Sequence, residues 1–181
     1  MRFIETPIAG AWLVQPELRA DQRGHFARLW CRDELAARGL RGDFVQCNNS
    51  FSAAAGTLRG LHWQAAPHSE VKLVGCTRGR VFDVIVDVRP ESASFLQWFG
   101  AELSADNRTM AYVPEGCAHG YLTLEPGAEV VYPVTAAYAA AAERGLRWDD
   151  PAVGIVWPAV PEVVSEKDSS WPDLQLERSR A

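Results

Sequence analysis

The sequence predicts an all-β fold, a sandwich or a jelly-roll barrel, with a few short helices. Three observations predict it. Short runs rich in β-branched residues recur between Gly and Pro residues at intervals of about 8–12 residues, the spacing of sandwiches and jelly rolls. The regular strand–helix–strand alternation of a doubly wound sheet is missing, and no G-x-G-x-x-G occurs. The chain has 181 residues, which at roughly 100–200 residues per domain is one domain. Residues 1–181 are therefore read as a single domain with a C-terminal wrapping segment.

The elements follow in chain order. Residues 32–39, RDELAARG, read as a short helix closed by Gly39. Phe44–Asn49 reads as the first strand of the barrel. Lys72–Cys76 and Arg80–Val88 form the clearest pair. They are separated by the turn residues Arg78-Gly79, and the second strand carries Val81, Val84, Val86 and Val88 before Pro90 stops it. Further strands are expected near Trp98–Leu103, Thr109–Val113, His119–Thr123 and Val130–Val134. From Pro151 onward, Pro-rich turns point to a segment that wraps the outside.

Composition narrows the function classes. Apolar residues make up 48% and charged residues 23%, ordinary values for a folded protein with a core of its own. The net charge is −5, which argues against nucleic acid, because no basic excess exists to displace counterions. An anionic small molecule needs only a few placed arginines. No membrane span is expected: Ala136–Ala142 is apolar but far short of the ~18 residues required. The start, MRFIETPIAGAW, lacks the apolar core of a secretory signal. Cys31, Cys47, Cys76 and Cys117 form no C-x-x-C pair and are read as buried, inert, free thiols of a cytoplasmic protein. Of 18 basic residues only Lys72 and Lys167 are lysine. A compact ammonium at these positions marks them for attention, because Arg cannot reproduce its geometry or its tunable pKa.

Two clusters carry the chemistry. One runs from Gly56 through Arg59, His62 and Gln64 to Glu70 and Lys72. The other is Pro114-Glu-Gly116-Cys-Ala-His119-Gly120. A Gly-x5-His followed further on by Pro-x-Gly-x-x-His resembles the paired motifs of the cupin superfamily, small barrels with a site in the barrel mouth. Metal-binding cupins supply His-x-His at the first motif. Here it is His62-x-Gln64, and Lys72 adds a positive charge that competes with a cation, so no metal is expected. A lone His is more often a core residue bonded to a carbonyl. Arg59, His62, Gln64 and Lys72 lie too close together for that reading, because burying so many polar groups is costly unless they bind something. Asp21-x-Arg23-Gly24-x-Phe26 reads either as a solvated turn or as a phosphate-and-base clamp. Gln46 and Asn48 sit on a polar strand of amide hydrogen-bonders. Tyr132 alone reads as readily as packing, and Ser165-Glu-Lys167-Asp168 as a solvated charge run.

Taken in order, D-x-R-G-x-F, Q-x-N-x-S-x-S, L-R-G-L-H-x-Q, K-L-V, G-x-V-x-D-V-x-V-D-x-R, P-x-G-x-A-H-G, W-x-D-P, I-x-W-P and S-x-K-D resemble the dTDP-4-dehydrorhamnose 3,5-epimerase family of nucleotide-sugar epimerases. The match runs from about Thr6 to Leu174. The resemblance implies an isomerase without cofactor. It would invert C3 and C5 of a dTDP-4-keto-6-deoxyhexose in deoxysugar biosynthesis. A mono-epimerase, an epimerase of another nucleotide-linked keto sugar and a ligand-binding cupin remain as alternatives. His62 would be the proton acceptor and Tyr132 the donor. Asp168 would pair with His62, and Lys72 would stand beside the substrate ketone. Arg23, Phe26, Arg28, Gln46, Asn48, Arg59, His119, Tyr138, Glu143 and Lys167 would contact the diphosphate, nucleoside or sugar. The arm carrying Arg23 and Phe26 would reach the neighbouring subunit's site, which implies a homodimer. The chain departs from the family pattern at Arg28, where Glu is typical, at Trp63, at Glu70, where Gln is common, and at Pro133. Arg28 has only donors to offer, so it is expected either to turn away from the base toward phosphate or to alter the base preference.

Overall fold

In the computed structural model, residues 1–174 are described. They form the strands β1 (Arg2–Glu5), β2 (Trp12–Gln15), β3 (Leu18–Asp21), β4 (Gly24–Ala27), β5 (Gln46–Ser52), β6 (Thr57–Gln64), β7 (Lys72–Arg78) and β8 (Arg80–Asp87). After them come β9 (Trp98–Ser104), β10 (Met110–Val113), β11 (Cys117–Thr123), β12 (Ala128–Val134), β13 (Glu143–Gly145) and β14 (Val163–Val164). The helices are short: α1 (Arg32–Ala36), a 3₁₀ turn at Ala140–Ala142, and α2 (Glu166–Ser169).

Two sheets pack face to face. One has the order β1-β2-β10-β7-β12-β5 and the other β13-β6-β11-β8-β9, with β14 added parallel to β6. All other pairings are antiparallel. Strands adjacent in the sheet but distant in sequence, such as β7 beside β12 and β6 beside β11, make this a jelly roll rather than a meander. The β3–β4 hairpin stands apart from both sheets.

Alternation decides which residues face inward. The inner face of the barrel carries apolar groups: Val74 and Cys76 from β7, Val81 and Ile85 from β8, and Val130 from β12. The same inner face also carries buried polar groups: Lys72 at the start of β7, Asp83 between Val81 and Ile85 on β8, and His119 on β11. A second cluster, Leu35, Leu73, Met110 and Tyr112, lies between α1 and the outer face of the first sheet. On the outer face of the second sheet, Val84, Val86 and Ala118 are covered by Val153, Ile155, Trp157 and Leu174. The segment after Pro151 thus wraps that sheet.

Several sequence expectations move. The helix expected over 32–39 ends at Ala36. Ala37 is its C-cap, and the amides of Arg38 and Leu40 both turn back to the Leu35 carbonyl, leaving Gly39 at a φ of 70°. Strands β1 to β4 fall in a stretch without period-2 apolar alternation. All four cysteines are free, but only Cys76 and Cys117 are buried; Cys31 is half-buried and Cys47 exposed. Cys47 points away from the barrel because its neighbours Gln46 and Asn48 point inward. Burial raises the Cys117 thiol to about 12. No helix among the described residues is long and apolar enough to cross a membrane.

Candidate active site

The barrel opens into a cavity of about 430 Å³ whose walls include Arg59, His62, Lys72, His119, Tyr132 and Asp168. A smaller recess of about 120 Å³ shares His62, Lys72 and Tyr132 and adds Gln46, Asn48, Glu70, Tyr138 and Glu143. Six strands and one short helix therefore deliver to one place residues that lie far apart in sequence.

His62 comes from β6, where the register sets it opposite His119 of β11. Gly60 makes this close pairing possible. Its φ is 117°, and a Cβ there would sit 2.6 Å from the Gly120 Cα, so only glycine fits. The Gly60 amide donates to Asp168 Oδ2 at 3.3 Å. Asp168 lies on α2, whose N-cap Ser165 accepts from the Asp168 amide at 3.0 Å. From that cap the other carboxylate oxygen meets His62 Nε2 at 2.6 Å. An ionised carboxylate only accepts, so Nε2 carries the proton and Nδ1 keeps the free lone pair. Burial works against ionisation of Asp168. The hydrogen bonds from His62, Gly60 and Ser165 outweigh it and hold the carboxyl below the usual carboxylate range. The Trp171 ring stands edge-on to His62 at a centroid distance of 6.4 Å. It lies flat on Gly145, where a Cβ would collide with the indole.

Lys72 opens β7 with its side chain 9% exposed. Its ammonium donates to the His62 carbonyl at 3.0 Å and lies 3.3 Å from Glu70 Oε1. Burial pushes this ammonium down from its ordinary value, opposed chiefly by Glu70. Tyr132, on β12, pairs in register with Asn48 of β5. Burial raises its phenol, helped by the Glu70 carboxylate and opposed by Arg59. The phenol therefore stays protonated as an acid.

The remaining expected residues divide into two groups. Arg59 is braced by the Ser52 hydroxyl at 3.1 Å and the Phe51 carbonyl at 3.0 Å. Gln46 donates to Asn48 at 2.8 Å, and Tyr138 donates to Glu143 at 2.8 Å. Lys167 donates to Glu143 at 2.5 Å, which raises its ammonium. Arg23, Phe26 and Arg28 do not reach the cavity of their own chain. They lie on the β3–β4 hairpin and just after it. Arg23 pairs with Asp21, Arg28 pairs with Glu34 at 3.0 Å, and Phe26 is 68% exposed.

Sequence reasoning missed Asp83. It is 2% exposed and meets His119 Nε2 at 2.7 Å, a second imidazole–carboxylate pair in the same barrel. A signal was present: on β8, Asp83 alternates with Val81 and Ile85, which places a carboxylate on an apolar inward face. Tyr121, which donates to Ser50 at 2.8 Å, was also missed.

A jelly roll with an imidazole–carboxylate pair, a phenol and an ammonium around one cavity defines a cupin-type enzyme equipped for acid–base chemistry. A family model described as dTDP-4-dehydrorhamnose 3,5-epimerase matches residues 5–176, and the chain belongs to that family. It is 48% identical over 179 residues to a dTDP-4-dehydrorhamnose 3,5-epimerase of Sinorhizobium fredii, covering 96% of this chain and 90% of the relative. The crystal structure of a dTDP-4-dehydrorhamnose 3,5-epimerase from Bacillus anthracis, with TDP and PPi bound, is similar with a TM-score of 0.92. It is 42% identical, with 96% of this chain and 99% of that one covered. An epimerase structure from Legionella pneumophila in complex with dTDP-4-keto-L-rhamnose has a TM-score of 0.87 at 34% identity, with 97% and 99% covered.

Proposed function

We propose that this protein inverts C3 and C5 of a dTDP-4-keto-6-deoxyhexose, the double epimerisation of deoxysugar biosynthesis, through an enolate and without a cofactor. The observation that carries this reading is the His62–Asp168 pair at 2.6 Å in a cavity shared with Lys72 and Tyr132. The C4 ketone acidifies the protons on C3 and C5. His62 Nδ1 takes one of them, and Asp168 steadies the imidazolium that forms. The carbon acid is far weaker than imidazolium, so the enolate needs stabilisation. The buried ammonium of Lys72 supplies it in a poorly hydrated site. Tyr132 returns a proton from the opposite face, which inverts the carbon. The same pair serves both carbons in turn, once His62 has passed its proton to solvent and Tyr132 has taken one back.

Arg59, His119 and Lys167 supply the cationic and hydrogen-bonding surface for the diphosphate and sugar, while Gln46, Asn48, Tyr138 and Glu143 line the recess for the nucleoside side. The protein works as a homodimer in the cytoplasm. Supporting the dimer, Leu29, Trp30, Phe44 and Val45 line an apolar groove on the outer face of the first sheet, and all but Phe44 are exposed. Beside it, Phe26 extends on a hairpin that its own cavity does not use. In a dimer the partner subunit's arm completes each site. NMR analysis of the product formed from dTDP-4-keto-6-deoxyglucose tests the function: inversion at both C3 and C5 is expected.

A further inference from the structure

Glu70 lies in the turn before β7, and its side chain is 11% exposed. Oε1 faces the Lys72 ammonium at 3.3 Å, and Oε2 accepts from Gln64 Nε2 at 2.5 Å. Gln64 is itself locked to backbone. Its Nε2 also faces the His68 carbonyl at 3.1 Å and the Ala137 carbonyl at 3.3 Å, sharing two N–H groups among three acceptors, and its Oε1 accepts from the Ala139 amide at 2.6 Å. A continuous set of contacts therefore runs from rigid backbone through Gln64 and Glu70 to the ammonium.

The charged and titratable groups around Lys72 come from every neighbouring element. They are Glu70 from the turn, His62 from β6, Asp83 from β8, His119 from β11, Tyr132 from β12 and Glu143 from β13. Asp83 is engaged by His119 and Glu143 by Lys167 and Tyr138. Glu70 is the carboxylate of this set that touches Lys72. An ammonium has three donors. The His62 carbonyl takes one and Glu70 faces a second, which leaves one for the cavity.

We propose that Glu70 is a positioning residue for the epimerisation: clamped by Gln64, its carboxylate holds the Lys72 ammonium beside the oxygen on which enolate charge develops. The inference rests on the reading of Lys72 as the enolate-stabilising group. Without a partner, a buried ammonium sheds its proton and loses that function. Burial already pushes Lys72 that way, with Glu70 as the largest opposing influence. Glu70 thus keeps Lys72 cationic at its place beside the cavity.

Lys72 and Lys167 are the only lysines, so ¹³Cε-labelled lysine gives two signals, assigned with Lys167→Arg. In Glu70→Gln the Lys72 midpoint should fall by about one pH unit or more. The Lys167 midpoint should stay, and the alkaline limb of kcat should move with Lys72 while the acid limb does not. An unmoved Lys72 midpoint, or a kcat loss equal at all pH values, overturns the proposal. Glu70→Asp should move the midpoint the same way by less. It decides the question if Glu70→Gln does not fold, since no movement there overturns the proposal too. Lys72→Met separates the two readings: near-wild-type kcat in that variant sinks the role of Lys72 itself, whatever Glu70→Gln shows.

Discussion

His62 Nε2 and Asp168 Oδ1 stand 2.6 Å apart although 106 residues separate them in the chain. The short helix α2 brings the two together: its Ser165 cap accepts from the Asp168 backbone amide, and the Gly60 amide donates to the Asp168 carboxylate. Asp168→Asn keeps the shape but removes the charge that sets the His62 tautomer. It should lower kcat by about 10²- to 10⁴-fold with a much smaller change in KM. Steady-state kinetics check this.

The same pair makes a pH-dependent contribution to stability. The folded-state carboxyl of Asp168 titrates below its ordinary range. Its contribution is fully present above the unfolded value of about 3.9 and fades as pH falls toward the folded one. The Tm gap between wild type and Asp168→Asn should therefore narrow as pH drops through that window. A gap that widens on acidification contradicts the assignment.

Tyr132→Phe retains the ring and loses only the hydroxyl. Abstraction by His62 should continue, so deuterium should still enter from D₂O while inversion falls steeply. Equal loss of exchange and inversion would point to a binding role for Tyr132 instead.

A chelator should leave activity unchanged. Where a metal cupin presents a second histidine, Gln64 is committed to Glu70 and to three backbone groups. His62 Nε2 is committed to Asp168. Activity lost to a chelator and restored by Fe, Mn or Zn would overturn the metal-free chemistry.

Mixed dimers test the arm. Arg23→Ala and His62→Ala should each be inactive alone. Mixed after dissociation, they should regain activity, because one site per mixed dimer then holds an intact His62 and an intact arm from its partner. No recovery would place the arm outside the site.

The strands β7, β8, β11 and β12 were legible in the sequence because each is rich in apolar and β-branched residues and Gly or Pro residues separate them. Their bounds shift by only a few residues. Arg59, His62, Gln64 and Lys72 were legible as too many polar groups on strands of a barrel interior, and His119 through the Pro-x-Gly-x-x-His motif. Asp168 was not legible from local pattern, since Ser165-Glu-Lys167-Asp168 looks like a solvated run until the chain's end folds back onto β6. Only the resemblance picked it out. Asp83 was hidden inside a Val-rich strand, and Glu70, though noticed in the sequence, acquires its meaning only through its contacts with Lys72 and Gln64. Strands β1 to β4 escaped because their alternation is broken by exposed polar residues. Cys47 was expected inside and lies outside, a reversal that follows from the inward amides on either side of it.

The central claim is that one base, His62, serves both carbons. Wild type and His62→Ala should be incubated with dTDP-4-keto-6-deoxyglucose in D₂O, and deuterium read separately at C3 and C5 by NMR. Wild type should label both positions, and His62→Ala should lose both by about 10²- to 10⁴-fold. Exchange at either carbon within about tenfold of wild type in His62→Ala would contradict the account.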